Sequence, residues 1–272
     1  MKFNLFYVMA LLCPFLTFAQ DETPPPLDDI VKRTTLQEKP PLSYRSLRES
    51  DVVWSKKVWE EIDTRQKQNL VFRSPHSALY ELLETGIKSG EITAYSPEDD
   101  QFLVPFSIEE FIDATSSVDT IEVTDPETLV TSPEIIRDET NFESVLKFRV
   151  KEIWYFDGLT STMRVRILGI APIVKKTSED GEASFEYPLF WVYYPHCRSY
   201  LSKYEVFNPS NDMGRMSWED ILEMRKFEAT IIKASNTQDM KLSATYTGRD
   251  LLLEAEKIKT EIRNLEEDMW VH

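Results

Sequence analysis

The residues best suited to chemistry in this chain are His196 and Cys197, adjacent in the segment YYPHCRSYL. A nucleophilic thiolate needs a nearby base, and histidine commonly supplies it. Neighbouring side chains, however, diverge by about 100° on a helix and point to opposite faces of a strand. We therefore expect Cys197 to be a buried structural residue, with an intermolecular disulfide as the alternative.

Other patterns for catalysis or cofactor binding are missing from the sequence. None of the seven glycines has the spacing of a phosphate-binding loop, and the three histidines form no metal-ligand pair. Adjacent acids such as Glu60-Glu61 and Asp99-Asp100 are expected by chance among 47 acidic residues. The acidic stretch 116–144 lacks the pattern of a calcium loop and is interpreted as a solvated loop. The sequence predicts no enzyme, no cofactor and no metal site.

Residues 1–19 have the organisation of a secretory signal peptide, with Lys2, an apolar run and Thr17-Phe18-Ala19. The run is shorter than the roughly 20 residues that cross a membrane. Cys13 follows Leu12 instead of the small residue that lipoprotein processing needs. We expect cleavage and release into the periplasm without direct membrane insertion, which leaves Cys197 with no disulfide partner in its own chain.

Charge and composition limit the classes of partner. The formal net charge is −16, so phosphate backbones and anionic lipid surfaces would repel the chain, and nucleic-acid binding is not expected. A hydrophobic content of 42%, including 12% aromatic residues, is that of a folded protein. The sequence predicts a soluble protein with protein partners.

The elements suggest one α+β domain, because strands and helices alternate without regular βαβ spacing. We expect a proline-rich extended arm at residues 20–46, the domain at 47–234, and a linker with a C-terminal amphipathic helix at 235–272. The arm would serve as a docking segment, with a plain tether as the alternative.

The domain is expected to begin with two helices. Trp54, Val58 and Ile62 recur every four residues after Asp51, which favours a first helix. A second helix would begin at Ser74-Pro75 and stop at Gly90.

Local sequence patterns also predict several shorter elements. We expect strands at 92–95 and 102–106, a helix from the capping box Ser107–Glu110, a strand buried on both faces at 187–194, and a helix capped by Ser217 that also carries Ile231 and Ile232.

A long antiparallel hairpin is predicted at residues 145–174, with a turn at Asp157-Gly158. One face is apolar and the other carries a row of cations. We expect this row to face outward and to contact an acidic partner or neighbouring subunit, although it could equally be a solvated face that discourages edge pairing. The row consists of Lys147, Arg149, Lys151, Arg164 and Arg166.

A heptad-like seam is predicted on the C-terminal helix, which would begin after Thr247. Its apolar residues recur at spacings of four and three, so the helix should pack on another element, either in its own domain or on a neighbour. The seam contains Leu251, Ala255, Ile258, Ile262, Leu265 and Met269, and Trp270 follows as a further interface candidate.

Five blocks of the sequence resemble the GldN/PorN family of the type IX secretion and gliding-motility machinery, and they follow one another in register over most of the mature chain. The blocks are 51–63 (DVVWSKKVWEEID), 164–172 (RVRILGIAP), 188–195 (PLFWVYYP), 206–209 (VFNP) and 220–227 (DILEMRKF), with Met269-Trp270 near the end.

The resemblance implies a periplasmic structural protein with no catalytic residues or cofactor. Such a protein would assemble with an outer-membrane lipoprotein and with copies of itself into a ring, and would contact the periplasmic part of a motor protein. A soluble periplasmic module that binds glycan or peptide is the alternative, suggested by the aromatic content alone.

Overall fold

The computed structural model describes residues 40–271, apart from residue 76 and residues 125–130, 178–183 and 209–213. Within these residues the centre of the fold is a seven-stranded antiparallel sheet. Its strands are β1 (Val52–Asp63), β2 (Ala94–Tyr95), β5 (Val145–Asp157), β6 (Thr162–Thr177), β7 (Ser184–Pro188), β8 (Trp191–Tyr193) and β11 (Thr230–Ala234).

The strand order is β11-β1-β5-β6-β8-β2, with β7 also paired to β6. The predicted hairpin is therefore confirmed, and β5 lies between β1 and β6. Two small antiparallel pairs lie outside this sheet: β3 (Ser116–Thr124) with β4 (Thr131–Glu139), and β9 (Glu205–Val206) with β10 (Met216–Ser217).

Five α-helices complete the described part of the chain: α1 (Leu79–Lys88), α2 (Ile108–Thr115), α3 (Tyr194–Leu201), α4 (Trp218–Glu223) and α5 (Gly248–Val271). The α+β class is confirmed. Ser107 and Ser217 form the capping boxes expected from the sequence, each accepting a hydrogen bond from the backbone N–H three residues on. No helix in the described ranges has the length and apolar character needed to cross a membrane.

The two faces of the sheet differ in what covers them. Alternation along β1 and β5 directs Ile62, Phe148 and Val150 to one side, where they pack with helical residues such as Leu83 and Trp218. We call this side the helix face. The opposite side, the loop face, carries Trp59 and the neighbouring residues Arg149 and Lys151.

The predicted first helix is wrong, because residues 52–63 form β1. The spacing of four shared by Trp54, Val58 and Ile62 fits a strand as well as a helix, since every second residue of a strand lies on one face. The alternating burial of β1 and its pairing with β5 from Val52 to Asp63 decide for the strand.

The predicted loop at 116–144 is also wrong over much of its length, because β3 and β4 pair from Ser116↔Glu139 to Thr124↔Thr131. Acidic composition suggested a solvated loop. The β-branched residues within Ser116–Thr124, such as Val118 and Ile121, favour the extended conformation instead.

Several other boundaries also differ from the predictions. Helix α1 begins at Leu79, later than Ser74. Ile231 and Ile232 lie in β11, since α4 ends at Glu223. The single buried strand expected at 187–194 is wrong, because β7 ends at Pro188 and β8 spans only Trp191–Tyr193 before Tyr194 opens α3.

The strand expected at 102–106 is reduced to one bridge between Tyr95 and Pro105. Phe102 has a positive φ of 62° and lies against Gly169, where an added Cβ would come within 2.4 Å of the Phe102 ring. This contact fixes the 95–106 segment over the loop face.

Candidate interaction surfaces

The first half of the predicted cationic row lies in β5 and is paired within the chain. Glu61 of β1 accepts from Arg149 Nη2 at 2.7 Å and lies 3.5 Å from Lys147 Nζ. Lys147 also contacts Glu186 of β7 at 2.6 Å. The hydrogen bond and charge of Glu186, with the charge of Glu61, raise the pKa of Lys147 against the opposing effect of burial.

Lys151 is buried still more deeply. Its Nζ donates to the carbonyl and to Oδ1 of Asp100, at 2.6 and 3.1 Å, while Trp59 Nε1 donates to Oδ2 of the same carboxylate at 2.6 Å. Arg149 is 9% exposed and Lys151 5% exposed. The expectation of an outward row is therefore wrong for this half, because strand β1 and the 95–106 segment bring carboxylates onto it.

The second half of the row lies in β6 and has a different environment. The Arg166 guanidinium lies 4.7 Å from the ring of Tyr44 and 5.6 Å from that of Tyr155, and donates to the Arg45 carbonyl at 2.8 Å. The Arg164 side chain is 46% exposed, with its Nε 3.7 Å from Asp157. Arg164 is thus the most accessible of the five cations.

Residues 40–48, which we call the anchor segment, were assigned to the extended arm up to residue 46, yet they pack on the domain. Tyr44 donates to Glu223 Oε1 at 2.5 Å, with the Arg198 guanidinium 3.9 Å from its ring. Arg45 pairs with Asp157 at 2.9 Å. The aromatic and basic pair Tyr44-Arg45, following the prolines, was the signal that sequence reasoning missed. Residues 1–39, including the predicted signal peptide, lie outside the described residues.

Asp157 and Tyr44 show how the anchor segment is held. Burial opposes ionisation of Asp157, but hydrogen bonds from Thr160 and Leu159 and the charge of Arg45 hold its pKa below the ordinary value. Burial, then the hydrogen bond to Glu223, raises the pKa of Tyr44. At neutral pH the contacts are therefore those of a carboxylate and a neutral phenol.

The centre of the seam on α5 packs on its own domain. Ala255, Ile258 and Ile262 are buried in a cluster with Val58 of β1 and Ile231 of β11. This is the intramolecular docking that the sequence left open. Leu251 and Leu265 are half-buried, while Leu252 and Leu253 on the outer side are exposed. The side chain of Trp270 lies outside the described residues.

The linker before α5 is more ordered than its polar composition suggested. Asn236 Nδ2 donates to the carbonyls of Ala234 and Met240, at 2.9 and 2.8 Å. Its Oδ1 accepts from the N–H groups of Gln238 and Met240, both at 3.1 Å. These bonds fix the turn that follows β11.

Cys197 is a free, buried thiol on α3, and its Sγ donates to the Tyr193 carbonyl at 3.3 Å. Burial raises its pKa to about 12, so the thiol stays protonated at neutral pH. His196 packs on the Tyr193 ring at 4.8 Å. The geometry is that of the structural cysteine expected from the sequence.

A buried ionic cluster on the helix face was not predicted. Arg225 pairs with Glu152 and, at 2.9 Å, with Glu60, while Trp154 Nε1 donates to Glu152 at 3.2 Å. Burial and the charge of Glu60 raise the pKa of Glu152 to about 7. Arg225 follows α4 with a positive φ of 51°, so its position in the cluster depends on a turn that sequence patterns do not reveal.

No group of three or more potential metal ligands occurs among the described residues. The comparison with curated proteins gives no match. The family model described as "Gliding motility associated protein GldN" matches residues 47–271. This range contains all strands of the central sheet and all five α-helices described above. The chain therefore belongs to the GldN family.

Proposed function

We propose that this protein is a non-enzymatic structural component of the type IX secretion and gliding-motility machinery, acting in the periplasm. The observation that carries the proposal is the family match over residues 47–271. Membership of the family implies a part in gliding motility. The finer role, as one subunit of a ring, is our inference.

The ring would contain an outer-membrane lipoprotein and further copies of this chain, and would contact the periplasmic part of a motor protein. Such partners suit an acidic protein with a net charge of −16, which disfavours anionic lipid and nucleic acid. The outer side of α5, with Leu252 and Leu253, and the half-exposed Arg164 supply accessible surface for protein contacts. The arm upstream of the anchor segment is a further proposed contact.

Purification of the tagged protein from detergent-solubilised cell envelope, with mass spectrometry and size-exclusion chromatography, tests this proposal. We expect a megadalton assembly that contains an outer-membrane lipoprotein in near-stoichiometric amount. Fractionation should recover the protein with the periplasm before solubilisation. A monomer that carries no lipoprotein would contradict the ring proposal and favour the glycan- or peptide-binding module.

A further inference from the structure

Strand β1 is paired on both sides over only part of its length. On one side β5 pairs along the whole strand, whereas on the other side β11 pairs only with residues 58–61. The Ser235 N–H adds one hydrogen bond on that side, to the Lys57 carbonyl at 2.9 Å. We call residues 53–57 the open edge. No other strand of the described ranges pairs with the open edge on the β11 side.

The open edge has backbone groups that point away from β5. Successive residues of a strand alternate between hydrogen bonding to the neighbour on one side and pointing to the other side. Since the Lys57 carbonyl points away from β5, the N–H and the carbonyl of Ser55 point away as well. Val53 is the extra residue where the register between β1 and β5 shifts. No other segment of the described chain is hydrogen-bonded to the Ser55 backbone, so a further strand can pair there.

The side chains of the open edge are accessible and basic. Val53 is 61% exposed, and Ser55 and Lys57 are exposed on the loop face. Neither Lys56 nor Lys57 forms an ion pair with a carboxylate in the part of the chain that the structure describes. Lysine on a sheet edge discourages pairing with a neutral strand. The same positive charge attracts an acidic strand.

Strands β3 and β4 form a ribbon outside the central sheet, and among the described residues each of them pairs only with the other. An isolated two-stranded ribbon is at best marginally stable in water, and a third strand stabilises it. The ribbon leaves the domain at α2, whose Phe111 packs on Phe190 at 5.0 Å, next to β8. Strands β6 and β5 lie between β8 and β1. Within its own chain the ribbon is not paired with the open edge.

The two outer edges of the ribbon are not equivalent. The Thr140 N–H donates to the Thr115 carbonyl at 2.9 Å, which fixes the alternation of hydrogen-bonded positions along the ladder. By this alternation the backbone groups of Thr120 on β3 and of Pro133 on β4 point outward. Proline has no N–H, so it blunts the edge on which it lies. The outer edge of β3 is therefore the one that can pair with a further strand.

The open edge and β3 have opposite charge. The sequence of β3, SSVDTIEVT, contains the acids Asp119 and Glu122 and no cation. The open edge contains Lys56 and Lys57 and no acid. Two copies of a chain with a net charge of −16 repel each other as wholes, so their association requires local complementarity of this kind.

We propose that the open edge of one copy of this chain pairs with β3 of a second copy, which adds the ribbon to the central sheet. Main-chain hydrogen bonds would supply the affinity, and the opposite charges would select the acidic strand. Because the open edge and the ribbon are different surfaces, the contact is heterologous, and repeated heterologous contacts form a ring when the rotation closes. The inference rests on the proposed function, since it specifies how copies meet within the ring.

Sedimentation velocity of the chain from residue 20 onward, at increasing concentration, tests the proposal. The wild type should associate beyond a dimer. Ser55→Pro removes an outward N–H from the open edge, and Thr120→Pro removes one from β3, while both strands keep their hydrogen bonds to β5 and β4. Each variant alone should associate at least about tenfold more weakly than the wild type, because a main-chain hydrogen bond between copies is lost.

A mixture of the two proline variants is the most specific measurement. The Thr120→Pro copy keeps its open edge and the Ser55→Pro copy keeps its ribbon, so the mixture should form a one-to-one dimer and nothing larger. Ile135→Pro is the matched control, because Ile135 lies opposite Thr120 and points outward on the edge that Pro133 already blunts. This control should associate like the wild type.

Lys57→Glu is a second route to the same surface, and it decides the matter if Ser55→Pro has a lowered melting temperature. The substitution reverses an exposed charge and leaves the backbone unchanged. It should weaken association by about fivefold at low salt, because an acidic edge repels β3, and the effect should shrink at high salt.

Three results would overturn the inference. The first is a wild type that stays monomeric at its highest soluble concentration. The second is association of Thr120→Pro or Lys57→Glu at the strength of the wild type. The third is a mixture of the two folded proline variants that does not dimerise. Co-purification with the lipoprotein is measured separately, so a megadalton assembly that survives Thr120→Pro would contradict this contact alone, whereas a wild type without lipoprotein would contradict the proposed function.

Discussion

Charged side chains are accommodated differently on the helix face and on the loop face of the same sheet. The helix face has an apolar core and one enclosed cluster in which two glutamates share Arg225. The loop face has Trp59, Ala171 and Trp191 as a small apolar cluster. Its buried cations pair with acids from other strands and loops, and Glu61 is shared by Lys147 and Arg149. Helices exclude water from the first face, whereas loops leave the second face partly open.

The difference explains where accessible surface remains. The helix face is covered by α1, α3, α4 and α5 of its own chain, so little of its surface is accessible to partners. On the loop face the covering segments are short, and Lys241 and Arg164 remain at the surface. We therefore expect substitutions on the helix face, and of buried residues on the loop face, to change folding stability. Substitutions of accessible loop-face residues should change partner binding instead.

The largest effect is expected where α5 packs on the helix face. The double variant Ile258→Asp with Ile262→Asp should lower the free energy of unfolding by about 4 kcal/mol, since each buried isoleucine contributes roughly 1.5 to 3 kcal/mol. Urea denaturation of the monomer measures it. Leu252→Asp with Leu253→Asp, on the exposed side of the same helix, is the control and should change stability by less than about 1 kcal/mol. Equal stability of the two double variants would mean that α5 is not docked on its domain in solution.

The next effect is a pH dependence from Glu152. Its pKa is raised from 4.5 to about 7 in the folded protein. The unfolded chain releases the proton at lower pH, so the stabilising contribution is present at low pH and is lost as the pH rises through about 7. Each pKa unit corresponds to about 1.4 kcal/mol, which allows a change of up to about 3 kcal/mol.

The variant Glu152→Gln isolates this term, because glutamine keeps the shape of the protonated acid and leaves Arg225 paired with Glu60. Wild type and variant should be equally stable at pH 4, below the ordinary glutamate pKa of 4.5, and the variant more stable at pH 8, as measured by urea denaturation. Glu267→Gln, exposed on α5, should show no pH-dependent difference from wild type. A constant difference between Glu152→Gln and the wild type over this range would contradict the raised pKa.

On the loop face, loss of a buried cation is expected to have a smaller effect. Lys151→Met should lower the free energy of unfolding by about 2 kcal/mol, because Asp100 then keeps only its bond from Trp59 and is 28% exposed. Lys57→Met, at an exposed position of β1 on the same loop face, should change the free energy of unfolding by less than about 0.5 kcal/mol. If both variants have the stability of the wild type, the ion pairs of this face contribute nothing to folding.

Much of the fold could be predicted from local patterns. The hairpin at 145–174 has an alternation of apolar and charged residues that only a strand explains, and the capping boxes at Ser107 and Ser217 are local hydrogen-bond motifs. Residues 52–63 were misassigned because their apolar residues recur every four positions, a spacing that strands and helices share. Only the pairing of β1 with β5, far away in sequence, decides between them.

The surfaces were harder to predict than the elements. Alternation showed that Arg149 and Lys151 share a face. Their acidic partners Glu61 and Asp100 lie 88 and 51 positions away in the sequence, on elements whose register could not be known in advance. The same limit applies to Arg225, which pairs with Glu60 165 positions away in the sequence. Pairing over such distances depends on tertiary structure.

The smallest effect on folding is expected at Arg164. Substitution of this residue tests whether the loop face contacts a partner. Its side chain is 46% exposed and 3.7 Å from Asp157, which keeps Arg45 as a closer partner, so Arg164→Gln should change the free energy of unfolding by less than about 1 kcal/mol. Arg166→Gln is the contrasting variant, because that side chain holds Tyr44 and the Arg45 carbonyl of the anchor segment. We expect Arg164→Gln to reduce co-purification with the lipoprotein while the melting temperature is unchanged. We expect Arg166→Gln to lower the melting temperature as well. If a stable Arg164→Gln variant assembles like the wild type, Arg164 is not part of the partner interface. Any partner contact of the loop face would then be made by other residues.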